Sequence, residues 1–497
     1  MPETLIRKIN PFNWQAEFPE EMERGGFDVI VGNPPYIRIQ NMMGYSPEEA
    51  GFYQRPESAY TTARQDNFDK YALFFERALT LLKPAGRLGF IVPHKFMTIH
   101  AGRSLRRLLT VGHFIESIVH FGVKQVFGRN VSNYTCIVVL DRRGSANIQV
   151  EHVGNLEAWR YGETGTVTVL PAGALTEETW QFANEGIQAL FDRIRAACPI
   201  RLGTVAEIFV GVQTSADGIY IFESVGETSD HHLLRWNGHD WPIEKDVLRP
   251  FLLDVQLTPY CRPIANTWLI FPYTFVETSG RTRSQLLQPE EMATRYPNCL
   301  AYLTARRAEL EGRNISGGIA DEQQFYQFGR SQSLVKFNGP KIILPALSLE
   351  PRYVYDENNI VVGGGGNGPY YLLRHRSDSC LTDYYLLAVL NHPISEAFVR
   401  TNTSVFRGGY YSHGKQFIEN LPVPIPSESD RATIDALVAG LINVNDNAVV
   451  ARTPHDRTLY ERQASDLRQQ IDARITQLFG LTTSDMDIVR AIPVPGS

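Results

Sequence analysis

Cysteine is scarce in this chain: five among 497 residues, Cys136, Cys198, Cys261, Cys299 and Cys380. The number is odd and no two form a CxxC pair, so neither a disulfide framework nor a metal site of thiolates is supported. Isolated thiols in a reducing compartment are the expectation. No apolar run approaches the ~18–20 residues that cross a bilayer, so no membrane partner is expected. The opening Met1-Pro2-Glu3-Thr4 has no basic stretch followed by an apolar core, and with no export signal the expected location is cytoplasmic. Positive charge is not in excess either: 48 Lys and Arg stand against 54 Asp and Glu, a net charge of −6. That argues against a small, wholly basic nucleic-acid binder. It leaves room for a large protein with a local basic face, since phosphate contacts need cations only along the footprint. Residues 91–130 offer such a face, with Lys95, Arg103, Arg106, Arg107, Lys124 and Arg129 against one acid, Glu116. An ordinary solvated helix face explains the same pattern equally well.

What is present is a packed chain: 43% hydrophobic and 21% charged residues, long enough for two or three domains. The first 140 residues alternate between strand and helix patterns. Phe27–Gly32 reads as a buried strand, Asp69–Leu82 as a helix stopped by Lys83-Pro84-Ala85-Gly86, and Arg87–Pro93 as the next strand. A helix around Ser104–Leu109 and strands Phe114–Phe121 and Val131–Leu140 follow. The fold class expected is α/β, with a largely parallel sheet. Residues 1–150 form this first domain, and 151–199 a connector with a strand Ile148–Val153 at its start and a helix Thr179–Ala197. Residues 200–426 read as an α+β domain. Its strands are expected at Ile208–Val212, Gly218–Phe222, Trp268–Pro272, Lys341–Pro345 and Arg352–Tyr355, its helices at Pro289–Arg313 and Asp383–Asn391. Leu421–Ser427 looks like an extended linker into a helical segment, 427–497, with Gly480 placed as a C-terminal cap. The glycines of Val361–Pro369 lack the Lys-Ser/Thr of a phosphate-binding loop and read as a hairpin loop.

The tetrapeptide Asn33-Pro34-Pro35-Tyr36 directly follows the first strand. In open α/β sheets ligands bind at the carboxyl ends of strands. An exocyclic amine on a purine is a poor nucleophile because its lone pair is delocalised into the ring. The side-chain carbonyl of Asn33 and the main-chain carbonyl of Pro34 can each accept one of its N–H bonds, which favours a pyramidal nitrogen. Pro35 fixes φ and keeps the loop rigid, and Tyr36 offers a flat face on which a base can stack. A plain rigid β-turn is the alternative for a bare tetrapeptide of this kind.

Phe27-Asp-Val-Ile-Val-Gly-Asn-Pro-Pro-Tyr-Ile-Arg38 resembles motif IV of the TaqI-like and type IIG restriction–modification N6-adenine DNA methyltransferases, and residues 69–96 resemble the motifs that follow it. The resemblance covers about residues 11–425. It implies methyl transfer from S-adenosylmethionine to N6 of an adenine flipped out of double-stranded DNA. It implies that Phe74, with Phe75 as the alternative in register, packs near the donor's adenine. It makes Phe127, in Gln125–Leu140, the ring on the second face of the base, where otherwise a core aromatic beside Val126 would be expected. Val210–Phe222 and Val405–Pro424 resemble the borders of a DNA target-recognition domain. Within it Arg407, Tyr410, Tyr411, His413 and Lys415 are candidate DNA contacts, with Lys124 and Arg129 in the first domain; an ordinary polar, aromatic loop is the alternative for the former group.

The family's glycine-rich donor loop and the acid after its second strand lie upstream of the tetrapeptide in full-length relatives. Only 32 residues precede Asn33 here and they contain neither. The methyltransferase-like sheet is therefore expected to be incomplete, with Phe27–Gly32 as an apolar open edge. A partner polypeptide that supplies the donor-binding half, a longer parent protein, or an inactive remnant each fit. No nuclease constellation is recognisable. The competing readings are a noncatalytic DNA-binding specificity subunit, and methylation of a protein glutamine or an RNA base.

Overall fold

The structure, a computed structural model, describes residues 11–64, 67–122, 124–127, 134–180, 182, 185–278, 280–315, 318–320, 325–331, 334–364, 368–403, 410–490 and 492. The chain forms two compact units. The first comprises residues 1–184 with 401–409 and 495–497, the second residues 185–400 and 410–494.

The first unit is built on six strands: β1 (Phe27–Gly32), β2 (Leu82–Pro93), β3 (Ile115–His120), β4 (Thr135–Asp141), β5 (Asn147–His152) and β6 (Thr166–Pro171). Their order across the sheet is β1-β2-β4-β3-β5-β6. Only β1–β2 and β3–β5 pair in parallel; β2–β4, β3–β4 and β5–β6 are antiparallel. The sheet is thus mixed rather than largely parallel. The reason lies in the link from β3 to β4, which has no helix among its described residues. It returns the chain antiparallel between two existing strands, whereas a parallel neighbour needs a long crossover.

Helices α1 (Lys70–Leu81) and α2 (Arg103–Val111) cover one face of this sheet. Tyr71, Phe75, Leu79, Leu105 and Leu109 pack with Leu88, Phe90, Val92, Cys136, Val138, Ile118 and Val150 in one buried cluster. The pairing registers and the two-residue alternation of strands put Val29, Val31, Ile91, Ile137, Val139, Val119, Val167 and Val169 on the other face. That face is only partly covered: Val29 is 60% and Val31 79% exposed. The strand whose sequence reads as buried is thus exposed on this face, and it ends the sheet as the apolar edge expected of it. Lys83–Gly86 does not form a separate turn either; it lies within β2, where the register with β1 shifts between Phe27 and Val29.

Strands β5 and β6 belong to this sheet, so the segment expected as a connector is divided. Its first part completes the first unit, and its helix, Glu185–Ala197, begins the second. That helix starts later than the periodicity suggests. Trp180 is drawn into the first unit's core instead, with its indole donating to Thr176 O at 2.7 Å and its ring edge-on to Phe96.

The second unit holds two four-stranded sheets. One runs Val354–Asp356, Lys341–Pro345, Tyr370–His375 and β7 (Ala206–Val210), all antiparallel. The other runs Val361–Val362, Leu248–Leu252, Thr267–Ile270 and Ile221–Phe222. The two backbones meet at glycine: a Cβ on Gly211 would lie 2.2 Å from Val362 O, and one on Gly364 2.1 Å from Gly211 O. The expected strand Gly218–Phe222 begins instead as a helical turn, Asp217–Tyr220, because the Thr214 hydroxyl accepts the Ala216 N–H and turns the chain. The expected helix Pro289–Arg313 is three helices, Pro289–Arg295, Pro297–Ala305 and Arg307–Leu310. Pro297 disfavours helical geometry at the residue before it, and Tyr296 sits at φ −135°.

Helix α3 (Asp383–Asn391) lies where expected and packs on α4 (Glu428–Val450), which pairs with α5 (Pro454–Leu478). Leu421–Ser427 is no free linker. Residues Leu421 to Val423 are buried and exchange main-chain bonds with Leu202 and Ile200. The terminal helices are thereby part of the second unit. Gly480, at φ +65°, ends α5 in the left-handed conformation that glycine adopts without strain.

Candidate functional site

β1 and β2 end at the same edge of the sheet, since they are parallel. The pairings place the end of β3, the end of β5 and the start of β4 there too. Asn33–Tyr36 leaves the sheet at this edge. Asn33 is exposed, Pro34 buried, Pro35 and Tyr36 half-buried. Among the described residues neither the Asn33 carboxamide nor the Pro34 carbonyl takes part in a hydrogen bond. Both acceptors are thus uncommitted within the described residues, Asn33 on the surface and Pro34 beneath it.

The loop is rigid for reasons on both sides. At its start it continues a strand bonded to β2. At its end Ile39 N–H donates to Phe68 O at 3.0 Å and Lys70 N–H to Ile37 O at 2.7 Å, around a bridge between Arg38 and Asp69. The Tyr36 hydroxyl donates to Ile91 O at 3.0 Å, and its ring stands edge-on to Tyr71, with 6.4 Å between centroids. Burial, with a smaller contribution from Cys136, pushes the Tyr36 phenol up to about 12, so it stays protonated and keeps donating. Tyr71 is itself buried against Phe96.

Phe127 is 45% exposed, which rules out the core-aromatic explanation for it. Its segment is tied down by Lys124 N–H donating to Phe121 O at 3.0 Å and by Arg160 donating to Val126 O at 2.8 Å. Arg129 and Arg407 lie outside the described residues. Phe74 is 41% exposed on α1, while Phe75 is fully buried with its ring 5.1 Å from that of Phe90. Of the two registers only Phe74 leaves a ring available to a ligand.

The basic stretch 91–130 is not a free cationic face. Arg106 is 2% exposed and donates to Phe96, Ile99 and Glu177 carbonyls. Arg103 pairs with Glu177 and Glu178, Arg107 with Glu177 at 3.8 Å, and Lys95 with Asp69 at 3.3 Å. Acids distant in sequence thus pair with Lys95, Arg103 and Arg107, which a local charge count misses. In the second unit Tyr410 is 43% exposed and Lys415 is exposed, as a surface contact requires. Tyr411 and His413 are buried and are withdrawn as DNA contacts. His413 Nδ1 is bonded to the Tyr353 hydroxyl, and Tyr411 lies beneath the Arg400 guanidinium.

The sequence reading missed one feature of this edge. His94, His120 and His152 stand in a row at this edge, with ring centroids 4.7 Å and 5.5 Å apart, and Tyr134 also stacks on His94. Burial lowers the pKa of all three, that of His94 to about 4, so the row is uncharged at neutral pH. The signal in the sequence was their shared position at the ends of strands that meet at one edge.

A family model described as Eco57I restriction-modification methylase matches residues 2–127. The type II restriction enzyme and methyltransferase RM.Eco57I of Escherichia coli is 27% identical over 505 residues, covering 97% of this chain and 48% of the relative. The type II methyltransferases M.XhoI of Xanthomonas vasicola and M.PaeR7I of Pseudomonas aeruginosa are 24% and 26% identical. They are matched over 94% and 88% of this chain, and over 77% and 72% of their own lengths. The chain thus spans about half the length of the Escherichia coli relative and about three-quarters of the other two. Among solved structures, the type IIL restriction-modification enzyme MmeI, determined in complex with DNA, superposes with a TM-score of 0.58 at 12% identity. The match covers 96% of this chain and 58% of that one, and establishes a shared fold. The homologues are type II methyltransferases of restriction–modification systems.

Proposed function

We propose that this chain is the base-binding half of an N6-adenine DNA methyltransferase joined to a DNA target-recognition unit. The observation that carries the reading is the pair of acceptors without a hydrogen bond among the described residues, Asn33 Oδ1 and Pro34 O, at the carboxyl end of β1 on a loop pinned at both ends. A flipped adenine stacks on Tyr36, with Phe127 as the second ring. The two carbonyls accept the two N6–H bonds and hold the nitrogen towards a pyramidal geometry, with the lone pair exposed. Fixed dipoles of this kind need no reorganisation in the transition state, and losing one such partner typically lowers kcat ~10²–10³-fold.

S-adenosylmethionine, when bound, supplies the methyl group on a sulfonium centre. Of a donor site this chain's described residues offer one wall, Phe74. They do not by themselves make a complete site, and no donor-side step is assigned to them. The uncovered β1 edge with Val29 and Val31 exposed supports a protein partner, or a further part of the same polypeptide, that adds strands beside β1 and brings the donor-binding loop. Double-stranded DNA is the nucleic-acid partner, with Lys124, Tyr410 and Lys415, and with Arg129 and Arg407, as contacts.

The same open edge gives weight to one other reading, a specificity subunit that binds DNA without catalysing. Calorimetric titration of S-adenosylmethionine into the chain, alone and with the completing polypeptide, separates the two. The reaction itself is tested by incubating the completed protein with DNA and donor and analysing the digested nucleosides by mass spectrometry. N6-methyladenine is expected. Methylcytosine alone, or methylation of protein or RNA with none in DNA, would overturn the assignment.

A further inference from the structure

The second unit contains a cavity of about 310 Å³ that no part of the proposed reaction uses. It opens where the strand Tyr370–His375 ends and α3 begins. Its wall carries Tyr355, Tyr384, His375, Asp383, Arg374 and Thr382. The Tyr355 and Tyr384 rings lie 4.7 Å apart at 59° and form an aromatic corner. Among the described residues neither hydroxyl takes part in a hydrogen bond. Burial holds both phenols above their ordinary pKa, so both remain neutral groups able to donate or accept.

His375 is held in one orientation. Asp383 Oδ1 lies 3.0 Å from its Nδ1 and also accepts its main-chain N–H at 2.7 Å. A carboxylate on Nδ1 favours the Nδ1–H tautomer and leaves Nε2 as a directed acceptor. Arg374 is committed elsewhere, donating to the carbonyls of Pro340, Lys336 and Asn338. The Thr382 hydroxyl is taken by Asp435 and by the cap of α3. The groups left for a ligand are therefore two phenol hydroxyls and one imidazole nitrogen beside aromatic faces.

The charges decide what kind of ligand fits. One cation, Arg374, and one anion, Asp383, balance in the wall, and both are satisfied within the protein. A phosphate or carboxylate finds no free cation here, and a divalent ion finds one carboxylate already bonded twice to His375. A flat, uncharged heteroaromatic with donors and acceptors on its rim matches all three groups and stacks on the tyrosines. We propose that this cavity is a second nucleobase site, distinct from the Asn33 site, that takes a neutral purine or pyrimidine as a free nucleoside or as an unpaired base of DNA.

The test uses the full chain with Asn33→Ala and Tyr36→Ala, so that the first site cannot report. Adenosine and thymidine are titrated calorimetrically. In parallel a duplex with one unpaired 2-aminopurine is followed by fluorescence against the fully paired duplex. Saturable binding in either arm is expected, and which arm responds identifies the source of the base. On the same background Tyr384→Ala should weaken it about 5- to 150-fold, the loss of one stacking partner. His375→Ala should weaken it at least 5-fold, and Tyr384→Phe should keep most of the stacking. Each variant is checked by its melting temperature. If neither arm shows binding, or if binding survives both His375→Ala and Tyr384→Ala unchanged in folded protein, the proposal is wrong. Neither outcome bears on the Asn33 reading, which these variants have already removed.

Discussion

Tyr36 makes two separable contributions, one through its hydroxyl and one through its ring. The hydroxyl bond to Ile91 O fixes the loop on β2 and is worth about 1 kcal/mol. In the proposed reaction the ring is the surface on which the base stacks, worth ~1–3 kcal/mol. Tyr36→Phe should therefore cost stability slightly and leave DNA methylation largely intact, whereas Tyr36→Ala should lower kcat/KM about 5- to 150-fold. Equal losses in the two variants would contradict the stacking role. A second contrast sits next door on α1. Phe75→Ala empties a buried site and should destabilise the protein by ~3–5 kcal/mol in denaturant unfolding. Phe74→Ala should leave stability nearly unchanged and weaken donor binding in the completed enzyme. Buried titratable groups add a pH dependence. Glu396, pushed up to about 7 by burial against the opposing pull of Arg400, stabilises the fold fully below its unfolded pKa near 4.5. That contribution is lost as pH rises through about 7. His94, lowered to about 4 by burial, acts in the opposite sense: its contribution is present above 6.5 and is lost as pH falls towards 4. Melting temperatures across pH 5–9 should show the alkaline decline reduced in Glu396→Gln, and an undiminished decline would show that Glu396 is not its cause.

At the scale of elements, β1 is where sequence and structure meet most closely. Its bounds, Phe27–Gly32, were legible because a short β-branched run ended in glycine and proline, and so was its place as an open edge. What was not legible is that a whole sheet face beside it is only partly covered, since that depends on which strands become its neighbours. Pairing also decided the mixed sheet, through the helix-free return from β3 to β4. Local rules predicted α1 and α3 well because their apolar spacing is strong. They failed where a single residue intervened, as Pro297 does by making the first of the two breaks in the expected helix. They failed too for charge, because the partners of Arg103, Arg106 and Arg107 lie some seventy residues away in sequence. The exposed valines carry an expectation of their own. The isolated chain should self-associate through β1, and Val31→Lys should shift it towards monomer in light scattering without lowering the melting temperature. A monomeric wild type would mean the edge is not adhesive.

For the whole molecule, the two units divide the proposed work. In the proposed reaction the first would grip the base, while the second, which includes the terminal helices α4 and α5, carries Tyr410 and Lys415 as candidate DNA contacts. The tetrapeptide was legible from the residues alone because its chemistry is local: two carbonyls, a rigid proline and a ring at the end of a strand. The His94–His120–His152 row and the Tyr355–Tyr384 cavity were not, because each gathers residues from separate elements. The account as a whole rests on Asn33 and Pro34 holding an adenine amino group. The most direct measurement is sequencing that reports N6-methyladenine in the DNA of cells carrying the completed enzyme, with wild-type Asn33 and with Asn33→Ala. The account predicts methylation at a defined sequence in the first and its loss, by ~10²-fold or more in rate, in the second. Methylation that persists unchanged in the Asn33→Ala cells would contradict it.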